Sequence, residues 1–111
     1  MKKKVIYIDI DGTICTQTDS QYEKAKPFNK AIKKINKLYS QGNTIIVYTA
    51  RFMGRTDNNY DKAYKLGYNF TLNQLKSWGL KFHELKMGKP QFDLLIDDKT
   101  YNYNQNWEDL L

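Results

Sequence analysis

The sequence predicts an α/β fold in which helices cover a parallel sheet, with no substantial cap domain. Apolar, β-branched strands alternate with amphipathic helices along the chain. Polar residues directly follow these strands, as they do where ligands bind at the carboxyl edge of an open sheet. The length of 111 residues leaves room for one domain, 1–111, and 41% hydrophobic residues are enough for one core.

Two strands and one helix are predicted in the first half. Residues 5–10 are β-branched and aromatic and end at Asp-Gly, which indicates a buried strand. Residues 13–26 are polar and irregular. Pro27 begins a helix that Gly42 ends, with lysines on one face and apolar residues at helical spacing on the other: Ala31, Ile32, Ile35, Leu38 and Tyr39. Residues 44–49 form a second buried strand.

Further helices and strands are predicted in the second half. Gly67 and Gly79 would each end a helix, and Thr71 would cap the second of these helices. The predicted elements are helices at 60–66 and 71–78, a weak strand at 80–85, a strand at 92–96 and a short helical cap at 107–111.

The charge, the apolar runs and the cysteine content indicate which partners and which cell compartment to expect. A net charge of +6 would attract anions, but the lysines are spread over helix faces, so nucleic acid is a possible partner that we do not favour. No apolar run is long enough to span a membrane. The start of the chain lacks the pattern of a signal peptide, and the single Cys15 cannot form an internal disulfide. These features favour the cytoplasm, and we expect Cys15 to be an ordinary small side chain.

Polar side chains converge at the predicted carboxyl edge of the sheet. Asp9 and Asp11 end the first strand, Thr49 ends the second, and the Asp97-Asp98 pair ends the fourth. Since carboxyl ends of parallel strands share one edge, four carboxylates and a hydroxyl should meet there. Such crowded carboxylates need a compensating cation, and hard oxygen ligands suit Mg²⁺. Lys89 could add a positive charge for a phosphoryl oxygen. The set therefore predicts a joint site for phosphate and metal.

The order of these motifs resembles the haloacid dehalogenase (HAD) superfamily of phosphohydrolases. The shared features are Asp9-x-Asp11-Gly12-Thr13 after an apolar strand, then Thr49, Lys89 and Asp97-Asp98, and they span residues 5–98. The resemblance implies a three-layer Rossmann-like fold and a phosphomonoester hydrolase. Members often carry an inserted cap domain, for which this chain has no room.

The resemblance also implies a role for each matching position. Asp9 would attack phosphorus and form an aspartyl phosphate. Asp11 would act as general acid and base, and Thr49 and Lys89 would bind phosphoryl oxygens. The metal would be held by the Asp9 carboxylate, the Asp11 carbonyl and Asp97, with Asp98 in contact or close by.

Several further residues are expected to contact substrate. Gly12 lets backbone N–H groups approach an anion closely, and Thr13 and Ala50 lie beside the phosphate-binding positions. Arg51 and Arg55 are candidates for gripping the substrate beyond its phosphate, because guanidinium groups suit anionic partners. A solvated loop is an equally good interpretation of Arg55.

More than one function fits these residues. We favour a sugar phosphate or another small phosphorylated metabolite as substrate, and the chain resembles short bacterial forms associated with capsule or other surface-polysaccharide synthesis. A nucleotide or nucleic-acid-end phosphatase is the alternative enzyme, and a phosphomutase is less favoured because no cap excludes water. A receiver-like or non-catalytic phosphate-binding module is the alternative from another class. A homo-oligomer is also compatible with the sequence.

Overall fold

The structure, a computed structural model, describes residues 3–101 and 107–110 and confirms the predicted α/β class. Strands and helices alternate along the chain, with short 3₁₀ turns at Tyr22–Lys24 and Gly54–Thr56. The elements are β1 (Val5–Ile8), α1 (Asn29–Ser40), β2 (Thr44–Tyr48), α2 (Tyr60–Ser77), β3 (Glu84–Lys86) and α3 (Trp107–Leu110). Leu111, which was included in the predicted C-terminal helix, lies outside the described residues.

The three strands form one parallel sheet in the order β1-β2-β3. Ile8 of β1 lies opposite Val47 of β2, which in turn lies opposite Leu85 of β3. The central strand β2 is buried on both faces along Ile45 to Val47, which matches its continuous apolar sequence. The carboxyl ends of all three strands therefore lie at the same edge.

One face of the sheet builds the core. Ile8, Val47 and Leu85 point into a cluster that α1, α2 and α3 complete with Ala31, Ile32, Ile35, Leu75 and Trp107. On the opposite face of β1, Val5 is 64% exposed and Tyr7 is 50% exposed. The described residues thus bury one face of β1 and leave the other face open.

The helix α1 follows the sequence prediction. Its predicted apolar residues Ala31, Ile32 and Ile35 are buried, and it begins two residues after Pro27. Gly42 just beyond it has φ +95°, a backbone conformation that favours glycine after a helix.

The two helices predicted at 60–66 and 71–78 are a single helix, α2, so the predicted break at Gly67 is wrong. Within this helix Gly67 makes room for the ring of Phe52, which occupies the space that a Cβ would need. Thr71 lies buried inside the helix, and Asn59 provides the N-cap instead, its side chain accepting from a backbone N–H of the first turn.

The strand predictions of the second half also differ from the structure. The third strand lies at Glu84–Lys86, later than the predicted 80–85. Residues 92–96 form no strand and pair with no neighbour in the described sheet. Their side chains are exposed, Leu94 by 76% and Ile96 by 89%. The apolar pattern indicated a segment able to form a strand, but this segment does not pair with either edge of the described sheet.

The C-terminal helix α3 anchors the chain near the first turn after β1. Trp107 is buried, and its indole Nε1–H donates to the carbonyl oxygen of Thr13 over 3.3 Å. No helix in the described ranges, 3–101 and 107–110, has the length and apolar character needed to cross a membrane.

Candidate functional site

Four of the predicted site residues meet at the carboxyl edge of the sheet. Asp9 and Asp11 follow β1, and Thr49 follows β2. The backbone N–H of Lys89 donates to the Thr49 carbonyl over 3.1 Å, which ties the segment after β3 to the end of β2. The ammonium Nζ of Lys89 then lies 3.7 Å from Oδ1 of Asp9.

Asp9 is the accessible carboxylate of the site. Its side chain is 37% exposed, and Lys89 beside it is 23% exposed. Partial burial raises the pKa of Asp9 above its ordinary value, the nearby Lys89 opposes that rise, and the neighbouring Asp11 adds to it. The Asp9 anion is therefore less well compensated than it would be in water, and a further cation would stabilise it.

Asp11 occupies a different environment, in a bidentate ion pair with Arg51. Arg51 Nε donates to Oδ2 and Nη2 donates to Oδ1, both over 2.9 Å. The Arg51 side chain has no exposed area, and that of Asp11 is 16% exposed. Both carboxylate oxygens are thus committed to a buried cation.

Gln74 and the Tyr22 ring also contact the guanidinium of Arg51. Its Nη1 donates to Oε1 of Gln74 on α2 over 2.6 Å, and its Cζ lies 4.7 Å from the centre of the Tyr22 ring. Gln74 in turn donates to the Tyr22 carbonyl over 2.8 Å. The sequence predicted that Arg51 grips substrate, but these contacts use it to orient Asp11 from within the protein.

Gln74 and Tyr22 are therefore functional neighbours that the sequence did not reveal. Both lie in stretches whose local pattern indicates only a helix face and a polar loop. Their roles depend on contacts over 23 and 52 residues of chain, which no spacing rule predicts.

Thr49 is 1% exposed, and its hydroxyl oxygen accepts from the Arg51 backbone N–H over 3.1 Å. A hydroxyl that accepts keeps its own hydrogen for donation, so this bond is compatible with donation to a phosphoryl oxygen. Ala50 lies between these two residues and is partly buried.

The turn after β1 uses the groups that were expected to contact an anion. The N–H of Gly12 donates to the Cys15 carbonyl over 2.9 Å, and that of Thr13 donates to the Ile10 carbonyl over 3.0 Å. The Asp11 carbonyl, expected to bind metal, accepts from Nε2 of Gln17 over 3.2 Å. These contacts stabilise the turn, so a ligand would have to replace them.

Cys15 behaves as the structural residue that the sequence predicted. It is buried, and its Sγ lies 3.6 Å from Oδ1 of Asp11. Burial first, and the adjacent Asp11 second, raise the pKa of the Cys15 thiol to about 12. A thiol in that state is a poor nucleophile.

Arg55 lies at the exposed rim of the site. Its guanidinium stands 4.5 Å from the centre of the Phe52 ring, and Nη2 donates to the Ser20 carbonyl over 2.6 Å. It therefore joins two loops and retains an exposed side chain.

Asp97 and Asp98 lie apart from the other carboxylates. Both are exposed, and Oδ1 of Asp97 accepts from the Lys99 backbone N–H over 2.9 Å. That bond, followed by one from Asp98, lowers the pKa of Asp97. Among the residues that the structure describes, no group of three or more His, Cys, Asp or Glu could hold a metal ion. Asp9 by its charge and exposure fits a cation, whereas Asp11 is committed to Arg51.

Comparisons with known proteins concern the fold. No family model matches the chain, and no curated protein matches it significantly. The crystal structure of a target protein from Vibrio cholerae is similar, with a TM-score of 0.81 and 23% sequence identity over 98% of this chain and 95% of that one. At this identity the similarity shows a shared fold and nothing of activity.

Replacing Arg51 by Met should destabilise the protein strongly, because it leaves Asp11 partly buried without its cation. We expect a loss of about 3 kcal/mol in the free energy of unfolding, measured by urea denaturation. Arg55→Met is the matched control and should cost less than about 1 kcal/mol, since Arg55 is exposed. Equal losses in the two variants would contradict the organising role of Arg51.

Asp9→Asn should stabilise the metal-free protein near neutral pH. The pKa of Asp9 is raised on folding, so the folded state binds its proton more tightly and loses stability as pH rises through that raised value. Asparagine does not ionise, so the variant should have the higher Tm at about pH 7 and no advantage at about pH 3. Asp93→Asn, at an exposed position, is the control and should show no such difference. A pH-independent effect of Asp9→Asn would contradict this explanation.

Proposed function

We propose that the protein is a HAD-like, Mg²⁺-dependent phosphomonoester hydrolase that acts on a small phosphorylated metabolite through an aspartyl-phosphate intermediate. The observation that carries this proposal is the partly exposed Asp9 carboxylate that follows β1, 3.7 Å from the Lys89 ammonium. The end of β2 adjoins this pair, because the Lys89 backbone N–H donates to the Thr49 carbonyl over 3.1 Å.

The covalent step follows from the accessibility of Asp9. One carboxylate oxygen attacks phosphorus, the P–O bond to the leaving group breaks, and an acyl phosphate forms. Water then attacks the same phosphorus and releases inorganic phosphate, which restores Asp9. The Lys89 ammonium is placed to bind a phosphoryl oxygen and to orient Asp9 at the same time.

Proton transfer is assigned to Asp11, the carboxylate two residues further on. The leaving alkoxide needs a proton in the first step, and the attacking water loses one in the second. Since both Asp11 oxygens accept from Arg51, the transfer requires one of these bonds to be exchanged for the leaving oxygen. Arg51 is therefore a positioning residue in this proposal, which limits where Asp11 can deliver the proton.

We also propose that residues 92–96 form a fourth strand, which would complete a three-layer fold. β1 has an unpaired edge in the described sheet, and the apolar segment 92–96 lies exposed. Free strand edges favour pairing, and burial of this segment would stabilise the fold by about 25 cal/mol per Å². Parallel pairing of 92–96 with β1 would bring Asp97 beside Asp9.

We propose Mg²⁺ as the cofactor of this hydrolase. Asp9 and Asp97 would hold the ion in that arrangement, with Asp98 in contact or adjacent, because hard carboxylate oxygens are its preferred ligands. The bound ion would supply charge that lets an anionic carboxylate approach an anionic phosphate. The raised pKa of Asp9 supports a cation there, since ionised Asp9 is undercompensated without one.

A second candidate is a phosphate-accepting or phosphate-binding module without turnover. The commitment of Asp11 to Arg51 favours this candidate, because an aspartyl phosphate that finds no proton acceptor for water would persist. The two candidates differ in whether phosphate is released repeatedly.

We expect the wild type with Mg²⁺ to release phosphate over many turnovers from p-nitrophenyl phosphate, and Asp9→Asn to lose at least about 10³-fold in kcat. Excess chelator should abolish the same activity. Asp61→Asn, which alters an exposed carboxylate on α2, should retain the wild-type rate. Single-turnover phosphorylation would favour the non-enzymatic module, and an active Asp9→Asn would exclude Asp9 as the nucleophile.

A cross-link should report the proposed pairing of 92–96 with β1. Cysteines placed by Tyr7→Cys and Leu95→Cys would face each other on neighbouring parallel strands, within the Cα separation of about 5.5 Å that a disulfide needs. Native Cys15 is buried with a pKa of about 12, so it should not compete. We expect mild oxidation to join the pair, as read by mass spectrometry. Tyr7→Cys combined with Leu66→Cys on the exposed side of α2 is the control, and equal cross-linking in both would contradict the pairing.

A further inference from the structure

Gln74 links Arg51 to the loop that precedes α1. Its Oε1 accepts from Nη1 of Arg51 over 2.6 Å, and its Nε2 donates to the carbonyl oxygen of Tyr22 over 2.8 Å. Only this orientation of the amide satisfies both contacts, because the reverse one would set donor against donor at the guanidinium and acceptor against acceptor at the carbonyl. The two partners therefore fix which end of Gln74 faces Arg51.

The position of Gln74 on α2 directs its side chain toward the site. It lies in the last turn of the helix, three residues after Thr71 and one before Leu75, and both of these neighbours are fully buried. Residues three apart share a helix face, so Gln74 lies at the border of the face that packs on the core. Gln74 is itself half-buried, which limits the competition of water for its hydrogen bonds.

Gln74 and Asp11 bind different nitrogens of the same guanidinium. Asp11 accepts from Nε and Nη2 of Arg51, whereas Gln74 accepts from Nη1. The Tyr22 ring adds a third contact, with its centre 4.7 Å from Cζ of Arg51. Two of the contacts that hold Arg51 are thus independent of Asp11.

Proton transfer changes what Asp11 can offer to Arg51. While one Asp11 oxygen carries the proton for the leaving group, only the other oxygen can accept from the guanidinium. The Arg51 side chain has no exposed area, so water does not replace the lost acceptor. Without a further anchor, the guanidinium would be free to move with Asp11 and to displace the carboxyl group from the leaving oxygen.

We infer that Gln74 is a positioning residue, which holds Arg51 in place while Asp11 gives up one of its two bonds to transfer a proton. The inference rests on the proposed hydrolase function, in which Asp11 is the general acid and base. Gln74 itself acts through Arg51 and takes no part in the covalent step. With Gln74 as anchor, the bidentate pair between Asp11 and Arg51 is compatible with turnover.

The variant Asp11→Asn reproduces the state in question, because asparagine has one side-chain oxygen that can accept. We expect rotation of the Arg51 guanidinium about Nε–Cζ to stay slow in Asp11→Asn, as in the wild type, measured from the separate Nη–H resonances by NMR. When Gln74→Met is added to Asp11→Asn, the rotation should become at least about tenfold faster. Methionine fills a similar space but is only a weak acceptor.

The variant Gln74→Glu separates the two contacts of the side chain. Glutamate can accept from Arg51 but cannot donate to the Tyr22 carbonyl, so the combination of Asp11→Asn with Gln74→Glu should rotate slowly again. Fast rotation in Asp11→Asn with Gln74 intact would overturn the inference. Fast rotation in the combination with Gln74→Glu would overturn it as well, since the effect would then belong to the contact between α2 and the loop.

Kinetics show whether the anchor serves proton transfer. Wild type and Gln74→Met are compared with Mg²⁺ on phenyl phosphate, a substrate with a poor leaving group, and on p-nitrophenyl phosphate, a substrate with a good one. We expect kcat/KM of Gln74→Met to fall about tenfold more on phenyl phosphate, because only the poor leaving group depends on the acid. Asn73→Met, which alters the exposed amide beside Gln74, is the matched control and should leave the ratio of the two values unchanged. In an Asp11→Asn background, Gln74→Met should no longer change that ratio.

The outcomes separate the inference from the function on which it rests. Equal losses on the two substrates would assign Gln74 a purely structural role and overturn the inference. A change of the ratio that persists in the Asp11→Asn background would overturn it too. No phosphate release by the wild type, together with the expected rotation of Arg51, would overturn the hydrolase function alone and support the anchoring of Arg51 by Gln74.

Discussion

The site depends on one buried ion pair, between Asp11 and Arg51. A guanidinium with no exposed area loses its hydration, a penalty of several kcal/mol that only close partners offset. Asp11 provides two charge-assisted bonds, Gln74 provides a third, and the Tyr22 ring covers the face. Because these partners come from the end of β1, the loop before α1 and α2, the pair fixes three parts of the chain relative to one another.

Local patterns predicted the elements whose determinants are local. The first helix has its apolar stripe, and the glycine that follows it, Gly42, adopts the left-handed backbone that the pattern implied. The break predicted at Gly67 was wrong: α2 continues through this residue, and the missing side chain makes room for the ring of Phe52, fifteen residues earlier. A glycine in a helical pattern can thus make room for a distant side chain instead of ending the helix, and the local sequence does not distinguish the two cases.

In the site, too, some features follow from the local sequence, whereas others depend on contacts between residues distant in the chain. Asp9, Asp11, Thr49 and Lys89 could be grouped in advance, because the carboxyl ends of parallel strands meet at one edge. The direction in which Arg51 points could not be predicted, since its partner Gln74 lies on a helix that the pattern had divided in two. The location of Asp97 depends on whether segment 92–96 pairs with an edge of the sheet, and that pairing is decided by contacts between residues distant in the sequence. Strand-end position therefore predicted which of these residues lie at the edge, but it did not predict their side-chain contacts.

Charge balance at the edge argues for a cation on physical grounds. Asp11 is matched by Arg51 and Asp9 by Lys89, so each carboxylate already has a counter-charge and the edge is locally neutral. A phosphomonoester dianion bound there would add negative charge in a partly buried place, where such charge is poorly screened. The overall +6 of the chain attracts the dianion from a distance but does not neutralise it at contact. A divalent ion at Asp9 would restore neutrality, and the pKa of Asp9, raised chiefly by burial in spite of Lys89, shows that negative charge is already disfavoured there before a ligand arrives.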